Sequence, residues 1–139
     1  MHTVYLGLGT NLGDKEANLK AAIEEIRKRI GEVTSQSAFY VSEPWGFTSE
    51  HNFLNIVCCI HTVFSPVEVL RLSQDIERNL GRIKKSVNGH YSDRLIDIDI
   101  LLYDDLHINT PELTIPHPLM WQRDFVMIPL KEIAPEIKL

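Results

Sequence analysis

Long apolar runs are missing from this chain. The longest is Ile56-Val57-Cys58-Cys59-Ile60, whereas a membrane-spanning helix needs ~18 or more apolar residues in a row, so no membrane partner is expected. The opening Met1-His2-Thr3-Val4-Tyr5 carries no basic stretch leading into an apolar one. An export signal requires both, and the expected location is the cytoplasm. Cysteine is nearly absent, and the two present, Cys58 and Cys59, are adjacent. A disulfide framework needs separated cysteines and zinc needs more ligands at wider spacing, so two reduced thiols packed in a strand are expected. Positive charge is in deficit, with 14 Lys and Arg against 19 Asp and Glu for a net charge of -5. That balance argues against a nucleic-acid partner. The P-loop, the G-x-S-x-G elbow and the kinase signatures are all missing too.

The 139 residues, 44% apolar and 24% charged, suit one globular domain over 1–139. A strand over residues 3–8 opens into Gly7-Leu8-Gly9-Thr10-Asn11-Leu12-Gly13. This G-x-G-x-x-x-G departs from the dinucleotide spacing, and no repeated βαβ pattern accompanies it. Asp14 is a helix N-cap, after which Leu19, Ala22, Ile23, Ile26 and Ile30 recur at helical spacing until Gly31. Strands are expected over 35–41 and 53–63. Ser65-Pro66-Val67-Glu68 is a capping box that starts a second helix with Val69, Leu72, Ile76 and Leu80 as its stripe. A further strand covers 95–103. Prolines at 111, 116, 118, 129 and 135 predict an irregular C-terminal tail with one short helix near 129–133. This order predicts an α+β, ferredoxin-like β-α-β-β-α-β sandwich with its helices on one sheet face.

Four places carry candidate chemistry. In Leu95-Ile96-Asp97-Ile98-Asp99-Ile100-Leu101, strand alternation puts Asp97 and Asp99 on one side, roughly 7 Å apart. Ile96, Ile98, Ile100 and Leu102 then face the core. Paired carboxylates repel unless a cation joins them, and hard oxygen donors suit Mg²⁺, which completes its shell with substrate phosphates. The segment 82–94 holds Arg82, Lys84, Lys85 and Arg94 against one acid, Asp93. A basic loop on an acidic protein suggests a small anionic ligand, and its length and Gly89 suggest a lid that closes on that ligand. Prolines flank His117 in Ile115-Pro116-His117-Pro118, holding an imidazole that can donate to phosphate. Phe53 and Asn55 share a strand face and offer an aromatic plane beside an amide.

Together these segments resemble the 6-hydroxymethyl-7,8-dihydropterin pyrophosphokinases of folate biosynthesis. The resemblance runs through Gly9-Thr10-Asn11-Leu12-Gly13, Phe39-Tyr40 with Ser42-Glu43-Pro44-Trp45-Gly46, and Phe53-Leu54-Asn55. It continues through Gln74 and Glu77, Gly81-Arg82, Arg94 with Asp97-Ile98-Asp99-Ile100-Leu101, Pro116-His117-Pro118, and Arg123 with Phe125. It implies an enzyme that moves the β,γ-diphosphate of ATP onto the hydroxymethyl oxygen of the dihydropterin and releases AMP. It further implies that Asp97 and Asp99 hold two Mg²⁺ ions and, with Arg82 and Arg94, form the catalytic set. Arg82, Lys85, Arg94, His117 and Arg123 would neutralise the triphosphate. Gln74, Glu77, Ile100 and Thr114 would complete the ATP site, the last two near adenine. Asn55 would donate and accept along the pterin's amide edge between Phe53 and Phe125, with Ser42, Glu43 and Trp45 contributing. Partners would be these two small substrates, with the protein a monomer. The stretch Gly89-His90-Tyr91-Ser92-Asp93-Arg94 stands where the family often has Trp-Gly-Pro-Arg. A nucleotidyltransferase, which also suits D-x-D on such a sheet, would release pyrophosphate in place of AMP.

Overall fold

The computed structural model describes residues 1–47, 49, 51–81 and 95–137. Strand β1 (His2–Thr10) leads into α1 (Lys15–Arg29). The helix begins where the Asp14 carboxylate accepts from the Ala17 N–H at 3.1 Å and buries Leu19, Ala22, Ile23 and Ile26, the expected stripe. Then come β2 (Glu32–Gln36), β3 (Tyr40–Ser42) and β4 (Phe53–Thr62). Helix α2 (Pro66–Gly81) opens on the predicted reciprocal cap. The Ser65 N–H donates to Glu68 Oε1 at 3.0 Å, and the Glu68 N–H donates to Ser65 Oγ at 3.3 Å. Strand β5 (Asp97–Tyr103), the short hairpin of β6 (Ile108–Asn109) and β7 (Thr114–Ile115), a 3-10 turn (Met120–Gln122) and α3 (Asp124–Ile133) complete the chain.

The main sheet has the order β2-β4-β1-β5, and β3 also pairs with β4. Every pairing in it is antiparallel. The single strand expected over 35–41 is two, and Ser37 explains the break. Its Oγ accepts the Val57 N–H at 3.0 Å, and its own N–H donates to the Val57 carbonyl at 2.9 Å. A side-chain oxygen thus stands in for a ladder carbonyl, and the chain restarts as β3 beside the other half of β4.

Helices lie on both sheet faces, which corrects the one-face expectation. Helices α1 and α2 bury one face, where Leu6, Leu8, Ile56, Cys58, Ile98 and Ile100 pack with Ile26, Val69 and Ile76. Helix α3 covers part of the other, where Val57, Leu101 and Leu102 pack with Met120, Val126 and Leu130. Between β5 and α3 the tail holds only the two-residue strands β6 and β7 and the 3-10 turn; the short helix expected near 129–133 is longer than expected, since α3 begins at Asp124 and carries Pro129 inside it. Its buried Val126, Pro129 and Leu130 cover sheet residues that would otherwise face water, and this burial outweighs the proline's penalty. A bulge supplies a second correction. Tyr5 pairs with Leu102 while Leu6 pairs with Ile100, so Leu101 is the extra residue. Leu101 and Leu102 both face α3, and Tyr103 takes the place in the α1/α2 core that alternation assigned to Leu102.

Both thiols are free and buried in β4, as expected. Burial first and neighbouring Cys59 second push the Cys58 thiol up to about 12. Among the described residues no helix is long and apolar enough to cross a membrane.

Gly31 sits where α1 turns into β2 against the end of β4. A Cβ there would lie 2.1 Å from the His61 carbonyl oxygen, and Thr62 Oγ1 ties the adjacent Ile30 carbonyl at 2.7 Å. Both obstacles are fixed in place. Gly31→Ala should therefore lower stability by about 1–3 kcal/mol in urea unfolding, and a midpoint equal to wild type would contradict so close a contact.

Candidate active site

The face of the sheet turned away from α1 and α2 is covered by α3 at one end and open at the other. From the open end toward α3, three strands present their side chains in rows. Asn55 on β4, Gly9 on β1 and Asp97 on β5 are cross-strand partners, as are Val57, Gly7 and Asp99. The middle strand carries glycine in both rows, so the floor between Asn55 and Asp97 is bare backbone. Those two side chains stand two strand spacings apart, ~10 Å.

Walls rise around that floor to form a cleft that is open to solvent on one side. Ser42, Glu43, Trp45, Phe53, Asn55, Asp97, Asp99, Arg123 and Phe125 all line it. The structure thus brings all six residues expected to touch the pterin into one place with both aspartates and Arg123. Phe47 and the two floor glycines were not among the candidates. Phe47 meets Phe53 edge to face, with centroids 6.1 Å apart. Gly46, at φ +83°, makes the turn that brings Trp45 and Phe47 to the same cleft. The glycines were detectable in sequence, since Gly7 and Gly9 alternate with the apolar Leu6 and Leu8. Phe47 offered no periodic signal, because it lies in a loop.

Arg123, at the N-terminus of α3, is only 6% exposed. Its guanidinium lies 4.4 Å from the Trp45 ring centroid and 5.5 Å from that of Phe125. Nη1 is 3.9 Å from Asp99 Oδ2, long for a hydrogen bond but close enough for strong attraction away from water. The aromatic bracket holds a planar cation at the carboxylate pair.

Asn55 is 3% exposed. Its Nδ2 donates to the Tyr40 carbonyl at 2.9 Å and to Ser42 Oγ at 2.8 Å. Both donors are thereby tied to β3, which corrects the expectation that this amide donates to a ligand. Its Oδ1 lies over Gly9, 3.1 Å from where a Cβ on that residue would sit, and the amide turns an acceptor toward the cleft.

Of the residues expected around ATP, Arg123 lies in the cleft, and the other described ones lie along or beyond the outer side of β5. Glu77 reaches from α2, and its Oε2 accepts the Ile98 N–H at 2.7 Å. Gln74 is on the exposed side of α2, and Thr114 is half-buried on β7. The His117 N–H donates to the Leu101 carbonyl at 3.0 Å. Ile98 directs its N–H away from β1, so strand alternation directs the Ile100 N–H and carbonyl the same way, along the outer edge between Glu77 and His117. The Ile100 side chain itself is buried in the α1/α2 core, leaving main chain as what this residue can offer a ligand. Arg82, Lys85 and Arg94, and with them the lid expected over 82–94, fall outside the described residues.

Asp97 and Asp99 offer the hard oxygen donors that Mg²⁺ takes. Among the described residues no third His, Cys, Asp or Glu joins them as a metal cluster. Two carboxylates complemented by phosphate oxygens are a usual set for this ion.

The half-buried His117 accepts the Leu119 N–H on Nδ1 at 3.2 Å, which leaves Nε2 to carry the proton of the neutral ring. Burial first, then the positive charge of Arg123, lowers its pKa from 6.5, with Asp97 opposing. The unfolded chain therefore protonates first as pH falls. The stability contribution of the neutral ring is complete above 6.5 and declines as pH drops below it. His117→Asn keeps an acceptor for the Leu119 N–H but cannot titrate. Urea midpoints at about pH 7.5 and about pH 5.5 should fall further for wild type than for this variant, and equal falls would contradict the shift.

A family model described as 7,8-dihydro-6-hydroxymethylpterin-pyrophosphokinase matches residues 5–135. A 2-amino-4-hydroxy-6-hydroxymethyldihydropteridine pyrophosphokinase from Porphyromonas gingivalis is 51% identical over 136 residues, covering 97% of this chain and 92% of the relative. The protein of the same name from Aquifex aeolicus is 42% identical, with 99% and 83% covered. Among solved structures, wild-type Plasmodium falciparum HPPK-DHPS with pteroate superposes with a TM-score of 0.80 at 16% identity. The match covers 99% of this chain and 41% of that longer one, and it concerns the fold. On the strength of the family match and the close full-length relatives, the chain belongs to the 7,8-dihydro-6-hydroxymethylpterin-pyrophosphokinase family and is a pyrophosphokinase of folate biosynthesis.

Proposed function

We propose that this cleft transfers the β,γ-diphosphate of ATP to the hydroxymethyl oxygen of 6-hydroxymethyl-7,8-dihydropterin. That oxygen attacks the β-phosphorus, the bond from the β-phosphorus to the oxygen bridging it to the α-phosphorus breaks, AMP leaves, and the hydroxyl proton is released. One observation carries the reading. A recessed amide acceptor walled by aromatic rings and a pair of carboxylates share one cleft across a bare glycine floor. A flat heterocycle lying on that floor with its N–H edge at Asn55 points its far end toward Asp97 and Asp99. Phe53 and Phe125 offer ring faces for stacking, and Ser42 holds the Asn55 amide in orientation.

ATP would lie along the outer edge of β5, its adenine near Thr114 and the outward main chain of Ile100, with Gln74 and Glu77 flanking it from α2. His117 offers its Nε2–H, and Arg123 its bracketed guanidinium, to the phosphates. Arg82, Lys85 and Arg94 are assigned the rest of that neutralisation on their positions in the family pattern. Asp97 and Asp99 would hold two Mg²⁺ ions, which when bound neutralise phosphate charge and bring the two substrates' oxygens together. Transfer of this kind needs positioning and charge compensation more than covalent assistance. The strand order β2-β4-β1-β5 supports reading the core as one ferredoxin-like domain, with β3 and α3 added where the pterin site forms. We assign it to the cytoplasm as a monomer.

Incubation with ATP, Mg²⁺ and hydroxymethyldihydropterin should yield AMP and the pterin diphosphate, with no turnover once the divalent metal is chelated. ADP or pyrophosphate as product would overturn the reading. Asp97→Asn and Asp99→Asn should each lower kcat by roughly 10²-fold or more; both side chains face away from the α1/α2 core, so the unfolding midpoint should be preserved in Asp97→Asn and fall in Asp99→Asn, which loses the attraction to the buried Arg123. A near-native rate in the double variant would refute the metal assignment.

Asn55→Ala removes the acceptor from the pterin side alone. It should weaken pterin binding by about 1–3 kcal/mol while a non-hydrolysable ATP analogue binds nearly as before. Equal losses for both ligands in calorimetry would make Asn55 structural.

A further inference from the structure

Residues 37–39 join β2 to β3 outside either strand, and side chains satisfy the backbone of Ala38. Its carbonyl accepts from Ser37 Oγ at 2.9 Å, and its N–H donates to Glu132 Oε2 at 2.7 Å. Glu132 stands in the last turn of α3. A carboxylate is disfavoured there, because the C-terminal end of a helix carries partial negative charge. Helix chemistry thus gives no reason for an acid at this position, whereas the Ala38 N–H does. The other end of α3 is attached to the same stretch of chain. Arg123 opens the helix, and its guanidinium lies 4.4 Å from the Trp45 ring centroid. One helix of 10 residues, about 15 Å long, is therefore fastened to the chain just before β3 and just after it.

We propose that Glu132 is a positioning residue for the pterin side of the site, acting through the Ala38 N–H to fix the strand that holds the Asn55 amide. The proposal rests on the pterin reading above and deepens it. Strand β3 is poorly anchored by itself. It has three residues, pairs only with β4, and leaves Val41 64% exposed. Short segments with little buried apolar surface open readily. Yet its Tyr40 carbonyl and Ser42 Oγ accept both Asn55 donors, so the direction of Asn55 Oδ1 is only as well defined as β3 is. Without the Glu132 carboxylate, the Ala38 N–H would turn to water and the first residues of β3 would be held by their ladder alone. The cost would then fall on ligand binding, which must order β3 before the amide can accept. Nucleotide residues along β5 do not touch β3 and would be spared.

Glu132→Ala removes the acceptor, and Glu132→Gln keeps an acceptor of the same reach without the charge. Both side chains are exposed at this position, so both variants should unfold in urea close to the wild-type midpoint. Calorimetry with a non-hydrolysable ATP analogue, and then with hydroxymethylpterin at saturating analogue, tests the inference. We expect Glu132→Ala to lose about tenfold in pterin affinity while analogue affinity stays within about twofold. Glu132→Gln should restore pterin affinity to within about twofold of wild type. In the ligand-free Glu132→Ala protein, the side-chain amide protons of Asn55 should exchange with solvent faster than in wild type. Unchanged pterin affinity in Glu132→Ala, equal losses for both ligands, or no rescue by Glu132→Gln would overturn the role of Glu132, while wild-type pterin binding keeps the parent reading intact. Failure of the wild-type protein to bind the pterin would overturn the parent reading and this one with it. Should Glu132→Ala not fold, Glu132→Asp supplies the test, since its carboxylate is one methylene too short to reach Ala38. It should lose pterin affinity as Ala does, and wild-type affinity in Glu132→Asp would overturn the proposal.

Discussion

The hydrogen-bonded register of β1 between β4 and β5 is the constraint on which the rest of the molecule depends. All nine residues of β1 are paired with β4, and the same strand carries the ladder to β5 on its other side. Side chains alternate along it, so one choice of register sends Leu6 and Leu8 under the helices and turns Gly7 and Gly9 toward the cleft. A slip of one residue would bury the glycines and put two leucines on the site floor. Apolar burial under α1 and α2 thereby fixes where Asn55 and Asp97 stand relative to each other, and the stability of the core and the geometry of the site have one origin.

The second face shows how the fold leaves room for a ligand. Helix α3 covers only the end of that face where Val57, Leu101 and Leu102 stand. The uncovered end carries amide, carboxylate and aromatic groups, which tolerate water when empty and can bind when filled. Arg123 joins the two regions: it opens α3, and its guanidinium lies between aromatic rings beside Asp99. A cation held there between rings is not free to collapse onto the carboxylates. The pinned amide of Asn55 follows the same logic on the other side of the floor. In both cases neighbouring groups hold the functional group in place before any ligand arrives, so less ordering remains to be done on binding.

Much of this was legible from local chemistry. Asp14 and the Ser65-Glu68 pair marked both helix starts, because caps are made by residues three apart. The alternation of Asp97, Ile98, Asp99 and Ile100 was enough to place the two carboxylates together on the open face. The family pattern then named Ser42, Glu43, Trp45, Phe53, Asn55 and Phe125 as one group, and they do line one cleft, together with Arg123, which the pattern had assigned to ATP. Less legible was everything that depends on contacts between distant segments. Ser37 reads as an ordinary strand residue until Val57 is beside it. Leu102 keeps its phase only if no bulge intervenes, and the tail helix expected near 129–133 starts already at Asp124 because the sheet needs covering.

By itself the sequence determined the helix caps, the strand periodicity, the paired aspartates and the family, since each is set by residues near one another or by a pattern along the chain. Tertiary structure alone decided which hydrogen bonds Asn55 has left to offer, because Tyr40 and Ser42 reach it only once β3 lies alongside β4. It also decided what stands beside each of two alternating glycines. Gly7 and Gly9 are chemically identical, two residues apart and both on the cleft floor; what distinguishes them is that a side chain on Gly7 would meet Leu101 of α3's cluster, and one on Gly9 would meet Asn55 and Phe53.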